Sequence, residues 1–481
     1  MRSLKLLFLI LILAVIKVAA QRAEQSYTPD PNPLIQKRIG EWQDIKFGLL
    51  MHWGPYSQWG IVESWSICPE DEGWCVPDTV KDYFGYKKRY ENLGKTFNPV
   101  KFEPEKWAKA AKNAGMKYVV FTTKHHDGFC MFDSKYTDYK ITGNDCPFHT
   151  NPKADVTKAI FNAFRNEGLW IGAYFSKPDW HSTDFWWPHF PPLDRNINYD
   201  PAKYPERWNN FVNFTHNQVM EICSNYGKID LLWFDGGWVQ KLAPVDKAPR
   251  IPGFRVKKPY NMDIKMDELV AKIRSKQPEA IVVDRAVRGK NQNYLTPENT
   301  VPDKMLPYPW ESCIILGGGW SFSYNAKMRP TREMIHMLTD IVAKGGNLLL
   351  NIGPGPDGTW YAEAYDRLNE IGAWLKINGE SIYGTRTLAP YTDGKLRFTQ
   401  GKDGTAYLIY LLSENEKLPS EIQVNGFLPE KGAKITMVGK SGSSLKWKKE
   451  GTGFKIPVSV AMSKSAPSGY AVVLKINKIT K

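Results

Sequence analysis

Past residue 16 the chain has no apolar run near the roughly 18 residues that a membrane helix needs, which excludes a spanning helix from its body. Cysteine is scarce, with six in 481 residues, and Cys68, Cys75, Cys130, Cys146, Cys223 and Cys313 form no metal-like cluster. There are only eight His, and no His-x-Glu or His-x-His pair offers zinc-site spacing. Basic residues exceed acidic ones by 64 to 50, but residues 381–481 alone hold 16 Lys and Arg against 7 Asp and Glu. These cations are scattered, without the interleaved aromatics of a nucleic-acid groove, and read as solvated strand faces. No nucleic-acid partner is expected.

What is present begins with an export signal. Met1 to Lys5 is basic, Leu6 to Ile16 is apolar, and Val18-Ala19-Ala20 precedes Gln21, so residues 1–20 read as a cleavable leader. The expected destination is the periplasm or the extracellular space, or the lysosome in a eukaryote. The Cys usage fits an oxidising compartment, and Cys68 and Cys75 are close enough in sequence for a loop disulfide. The remaining length exceeds what one core organises, and the composition changes near Thr385. This divides the mature chain into residues 21–384 and 385–481.

In the first of these parts, apolar strand-like runs alternate with stretches of helical period. The runs are Phe47–His52, Tyr118–Thr123, Leu169–Phe175, Ile229–Phe234, Ala280–Asp284, Cys313–Leu316 and Asn347–Ile352. Between them, stretches such as Met266–Ser275 place Met266, Leu269, Val270 and Ile273 on one helix face. Seven such β-then-α signals argue for an α/β fold, a (β/α)8-like, TIM-type barrel, with the eighth unit unresolved near Tyr361–Tyr383. Beyond Thr385 the helical period gives way to short alternating strands between Gly and Asn turns, which predicts a C-terminal β-sandwich.

Active sites of this barrel form at the C-terminal ends of its strands. Here the runs end in His52-Trp53-Gly54, Lys124-His125-His126-Asp127, Tyr174-Phe175-Ser176, Trp233-Phe234-Asp235 and Asp284-Arg285. One such ending is ordinarily structural, and a lone Asp-Gly such as Asp235-Gly236 ordinarily caps a helix or makes a turn. Five polar or aromatic endings on one rim point to a site. Zinc could use His52, His125, His126 and Asp235, but adjacent His residues at a strand end are expected to diverge, and no metal or organic cofactor is expected. Sugar recognition fits better: aromatic rings cover the apolar face of a pyranose while His, Arg and Trp N–H groups bond its hydroxyls. Cleaving a glycoside then needs two carboxyl groups, with Asp235 the first.

FGLLMHWG (Phe47–Gly54), TTKHHDGF (Thr122–Phe129), GAYFS (Gly172–Ser176), LLWFDGG (Leu231–Gly237) and Asp284-Arg285 together resemble the α-L-fucosidases of glycoside hydrolase family 29, in consistent order over residues 35–380. The resemblance implies a retaining enzyme with Asp235 as nucleophile and His52, His125, His126, Tyr174, Trp233 and Arg285 lining a fucose pocket. Glu63 resembles the family's pocket glutamate, with Glu72 a rival, and Trp320 a tryptophan that closes the pocket. Glu298 is the expected acid/base, starting protonated through burial or the charge of Asp235. Glu311 is the competitor, placed by its sequence at the far end of the sixth strand. The implied partners are fucosylated oligosaccharides or glycoprotein glycans, with an oligomer possible. The loops Ile67–Tyr90 and His181–Tyr199 would set glycan preference. A glycan-binding protein on the same fold, or a hydrolase of a related α-linked sugar, are the alternatives.

Overall fold

The computed structural model describes residues 27–69, 75, 80–242, 260–442, 444–464 and 466–480. The expected leader and Glu72 lie outside the described residues. Seven parallel strands form one curled sheet: Phe47–Met51 (β1), Tyr118–Lys124 (β2), Trp170–Ser176 (β3), Leu231–Asp235 (β4), Ile281–Asp284 (β5), Glu311–Ile315 (β6) and Asn347–Asn351 (β7). Their order is β5-β4-β3-β2-β1-β7-β6. Each is buried along nearly all of its length, as the continuous apolar runs require of strands covered on both faces.

The eighth stave, left unresolved by the sequence, does not lie near Tyr361–Tyr383. The helix Ala362–Asn378 occupies the expected region, but β7 pairs directly with β1, so the gap falls between β5 and β6. The segment Gln292–Glu298 fills it. Gln292 bridges Val283 of β5, and Leu295 and Glu298 bridge Trp310 and Cys313 on the β6 side. Pro297 and the polar composition of this stretch hide it from any strand pattern, yet it carries Glu298 up the barrel wall.

The helix Pro33–Ile45 (α1) precedes the first strand. Asn32 caps it by accepting from the Leu34 amide at 2.9 Å, with Pro33 in the first turn. Its Ile35, Ile39 and Trp42 pack into the barrel interior with Leu50, Tyr118, Trp233 and Tyr294, filling the end opposite the site.

Two buried ion pairs brace the β2 and β3 ends. Lys124 Nζ lies 2.9 Å from Asp179 Oδ2 and Lys177 Nζ 2.6 Å from Asp284 Oδ1, each side chain at most 3% exposed. Gly128 permits the first, because at φ +81° a Cβ there would stand 2.2 Å from Asp179 Oδ1. Asp179→Ala leaves the Lys124 ammonium buried with only Gln218 as a polar partner. It is expected to lower unfolding free energy by about 3–5 kcal/mol in urea titration. A loss below about 1 kcal/mol would show that the pair is not a brace.

From Thr385 the chain is antiparallel. Its strands are Thr385–Asp393 (β8), Leu396–Gly401 (β9), Ala406–Leu411 (β10), Glu421–Val424 (β11), Leu428–Pro429 (β12), Ile435–Met437 (β13), Lys448–Glu450 (β14), Gly453–Pro457 (β15), Ala471–Ile476 (β16) and Ile479–Thr480 (β17). One sheet has the order β13-β16-β10-β9-β8 and another β11-β15-β14, with a two-stranded pair β12-β17. Phe398, Leu408, Val424, Phe454 and Leu474 share its core. Arg397 of β9 meets Asp340 of the barrel helix Thr331–Ala343 at 2.5 Å, and Arg386 of β8 meets Asp44 of α1 at 2.6 Å. The alternating strands and the sandwich-like pairing agree with the period change read from sequence.

Candidate active site

Asp235 is the last residue of β4 and turns into the mouth because Gly236, at φ +88°, bends the chain where a Cβ would strike Pro178 at 2.3 Å. It caps no adjacent helix; the next one described begins at Met266. Tyr174 Oη donates to its Oδ2 at 2.8 Å and Arg285 Nη1 to its Oδ1 at 3.1 Å, while His126 Nε2 stands 3.8 Å from Oδ2. Burial alone would raise this carboxyl, but Arg285, His126 and the Tyr174 hydroxyl outweigh it and hold Asp235 well below the usual carboxylate range. It is a charged carboxylate at the end of a strand, held by directed donors.

Glu298 reaches the same guanidinium: Arg285 Nη2 pairs with Glu298 Oε2, so one arginine joins the two carboxyl groups. The side chain of Glu298 is 50% exposed, so it is not buried, although burial was one of the two conditions expected from sequence. Glu311 lies elsewhere. It is fully buried in the barrel lumen, with its carboxyl on Tyr118 and Trp233, in keeping with its expected place at the N-terminal end of β6.

The walls are built from the other strand ends. His52 Nδ1 is 2.8 Å from Asn351 Oδ1, and His125 Nδ1 is 2.6 Å from Ser64 Oγ. Glu63 is buried and accepts from the Ser321 amide at 2.7 Å, with burial pushing its carboxyl up to about 8. Asn351 also donates to the Trp320 carbonyl at 2.7 Å, which ties the Trp320 loop to the first and last strands. Trp233 stacks on Tyr174 at 5.3 Å. These residues enclose a cavity of about 180 Å³ that brings together His52, Glu63, His125, Tyr174, Trp233, Asp235, Arg285, Glu298 and Trp320. That is below the roughly 300 Å³ of drug-sized sites and suits one sugar ring. His126 lies against it, buried among Trp65, Trp180 and Trp238, with no hydrogen-bond partner for either ring nitrogen among the described residues. A larger cavity of about 800 Å³ lies beside Val239–Leu242 and Ala286–Asn291.

Leu50, Trp65, Arg195, Trp238 and Cys313 also line the pocket, and sequence reasoning assigned none of them to it. Arg195 comes from the loop flagged for glycan preference, and its guanidinium lies 5.0 Å from both the Trp65 and Trp238 rings. Its carbonyl accepts from Trp180 and Trp238 at 3.2 Å, which fixes the loop over the mouth. Part of the other flagged loop lies outside the described residues, though Cys68 and Cys75 are buried there with Cys75 Sγ 2.9 Å from the Trp65 carbonyl. A Trp cluster in the sequence is the only signal that could have pointed to Trp238.

The two adjacent histidines do not diverge as expected. Their rings are 4.2 Å apart, and ligand atoms of His125, His126 and Asp235 lie within 4.8 Å of one another. The pairing of β2 with β3 shifts register between Thr122 and Lys124, directly before the two rings. The guanidinium on Asp235 opposes a cation at that point.

Burial lowers His52 and His126 to about 4 and His125 well below its ordinary range, so all three are neutral hydrogen-bonding groups at neutral pH. The folded state refuses protons that the unfolded chain takes up from pH 6.5 downward, so this contribution to stability falls as pH drops from 6.5 toward 4. Below pH 4 the pocket gains positive charge. KM for a small substrate is expected to be flat from pH 5 to 8 on account of these groups and to rise below about pH 4. A KM unchanged down to pH 3 would remove the histidines from sugar binding.

A parallel barrel with two carboxyl groups across a one-sugar pocket has the architecture of a glycoside hydrolase. A family model for α-L-fucosidases matches residues 14–380, and the chain belongs to that family. The plasma α-L-fucosidase of Homo sapiens is 29% identical over 385 residues, covering 76% of this chain and 74% of that protein. α-L-Fucosidase isoenzyme 1 from Paenibacillus thiaminolyticus superposes with a TM-score of 0.72 at 29% identity, covering 93% of this chain and 100% of that one. The Thermotoga maritima α-fucosidase, solved in complex with fucose, gives a TM-score of 0.70 at 26% identity over 93% and 99% of the two chains.

Proposed function

We propose that this protein removes terminal α-L-fucose from glycoconjugates by double displacement, with Asp235 as nucleophile and Glu298 as acid/base. The observation that carries this reading is the pair of carboxyl groups on one guanidinium, one charged and only 16% exposed, the other 50% exposed at the mouth. Asp235 attacks the anomeric carbon as Glu298 gives its proton to the leaving oxygen; water then displaces the enzyme ester with Glu298 as base, and configuration is retained. To reach the leaving oxygen, the Glu298 carboxyl turns off the Arg285 guanidinium that it meets in this structure. A sugar entering between them supplies that separation.

His52, His125, His126 and Glu63 bond the fucose hydroxyls, Trp233 and Trp320 cover its apolar parts, and the loop carrying Arg195 meets the sugar beyond the scissile bond. The substrates are fucosylated oligosaccharides or glycoprotein glycans met after export through the leader. No cofactor takes part. A binding protein without turnover has no use for a charged carboxylate held at the pocket floor. Incubation with an aryl α-L-fucoside and an aryl β-D-galactoside tests the reading: release from the first alone is expected, and release from neither, with fucose still bound, would overturn it.

A further inference from the structure

Glu311 is a buried carboxyl that the proposed mechanism does not use. It opens β6, and its side chain crosses the lumen toward β2 and β4. Oε2 accepts from the Tyr118 hydroxyl at 2.6 Å, and Oε1 accepts from Trp233 Nε1 at 3.3 Å. Burial pushes the carboxyl up to about 7 against the opposing donors Tyr118, Trp233 and Tyr294. A carboxyl among aromatic rings is costly to bury. Its fixed acceptor gives the Trp233 N–H a directed partner inside the barrel.

Trp233 stands two residues before Asp235 on β4, so both face the lumen. The indole touches the two groups that hold Asp235: its ring stacks on Tyr174 at 5.3 Å, and the Arg285 guanidinium lies 5.1 Å above it. Tyr174 donates to Oδ2 and Arg285 to Oδ1. A tilt of the indole would therefore displace both donors together.

We infer that Glu311 is a positioning residue, which fixes the Trp233 indole from beneath and through it the two donors that aim Asp235 at the sugar. The inference rests on Asp235 being the nucleophile. It makes Glu311 neither an acid/base nor a mere cross-link of the sixth strand.

The test is a double-mutant cycle on the full-length protein, with kcat and KM for an aryl α-L-fucoside. Glu311→Ala is expected to lower kcat by about tenfold to a hundredfold with KM within about threefold, as sub-ångström misplacement of reacting groups does. Trp233→Phe keeps a ring but removes the N–H, and the double variant should be no worse than the more damaged single one. Multiplicative losses would overturn the coupling. Glu311→Gln creates no cavity and keeps an acceptor for the indole, so it should recover kcat to within about fivefold of the parent. A folded Gln variant as slow as Ala would overturn the inference, and this arm stands even if Ala does not fold. Tyr118→Phe breaks the 2.6 Å contact on the other carboxyl oxygen and should leave kcat within about twofold; a fall equal to that of Glu311→Ala would reduce Glu311 to a core cross-link. Azide should not rescue Glu311→Ala, and rescue would make it the acid/base instead. If Asp235→Asn keeps turnover, the nucleophile reading fails, whatever the cycle shows.

Discussion

Asp235→Asn is expected to abolish turnover, with kcat down by at least ~10³, while the unfolding midpoint stays close to that of the parent. The amide has the shape of the carboxylate; its oxygen can still accept from Arg285 while its NH2 donates to the Tyr174 hydroxyl, so the pocket keeps its form. What disappears is the anionic oxygen that bonds to the anomeric carbon, and no neighbouring group replaces it: His126 is 3.8 Å away and Glu298 is tied to Arg285. Asp235→Gly should lose as much activity. Burst measurements with an activated aryl fucoside would show no first-step release in either variant. Near-native turnover in a folded variant would sink the nucleophile assignment and leave the fold reading intact.

That Asp235 could be found at all shows what a sequence displays well. A strand buried on both faces has to be apolar throughout, so the point where Leu231–Phe234 ends in a carboxylate and two glycines is visible without coordinates. The same reasoning located His52, His125, His126 and Arg285, which follow strands directly. The segment Gln292–Glu298 was invisible as a stave because its hydrogen bonds come from isolated bridges and it has no alternating pattern. Glu298 was reached only through family likeness. Arg195 enters the pocket from a long loop pinned by two indole N–H groups, a contact that no local pattern encodes. The helix α1 was legible and missed: Ile35, Ile39 and Trp42 carry a helical period behind an Asn-Pro start.

The position of Glu311 at the start of β6 was legible too, but its reach was not. Sequence assigns a strand residue to one end of the barrel, whereas the lumen is narrow enough for side chains from β2, β4 and β6 to meet across it. The two glutamates therefore differ less in sequence than in space. Glu298 stands with the nucleophile on Arg285, and Glu311 stands beneath the floor of the pocket.

Leaving-group chemistry separates the two. An aglycone that departs as a stable anion hardly needs protonation, so Glu298→Ala should retain the first step on such a substrate while natural glycans slow by ~10² or more. The second step still needs a base to activate water. The fucosyl-enzyme should then accumulate, and azide, which needs no deprotonation, should attack it and restore turnover of the activated substrate. Mass spectrometry of the denatured protein would detect the trapped ester, and the product would be a fucosyl azide of retained configuration. Glu311→Ala should show none of this, because a misaimed Asp235 slows the first step for every leaving group and azide acts only after that step. Azide rescue of Glu311→Ala beside an unresponsive Glu298→Ala would exchange their roles, and it would leave Asp235 and the retaining course untouched.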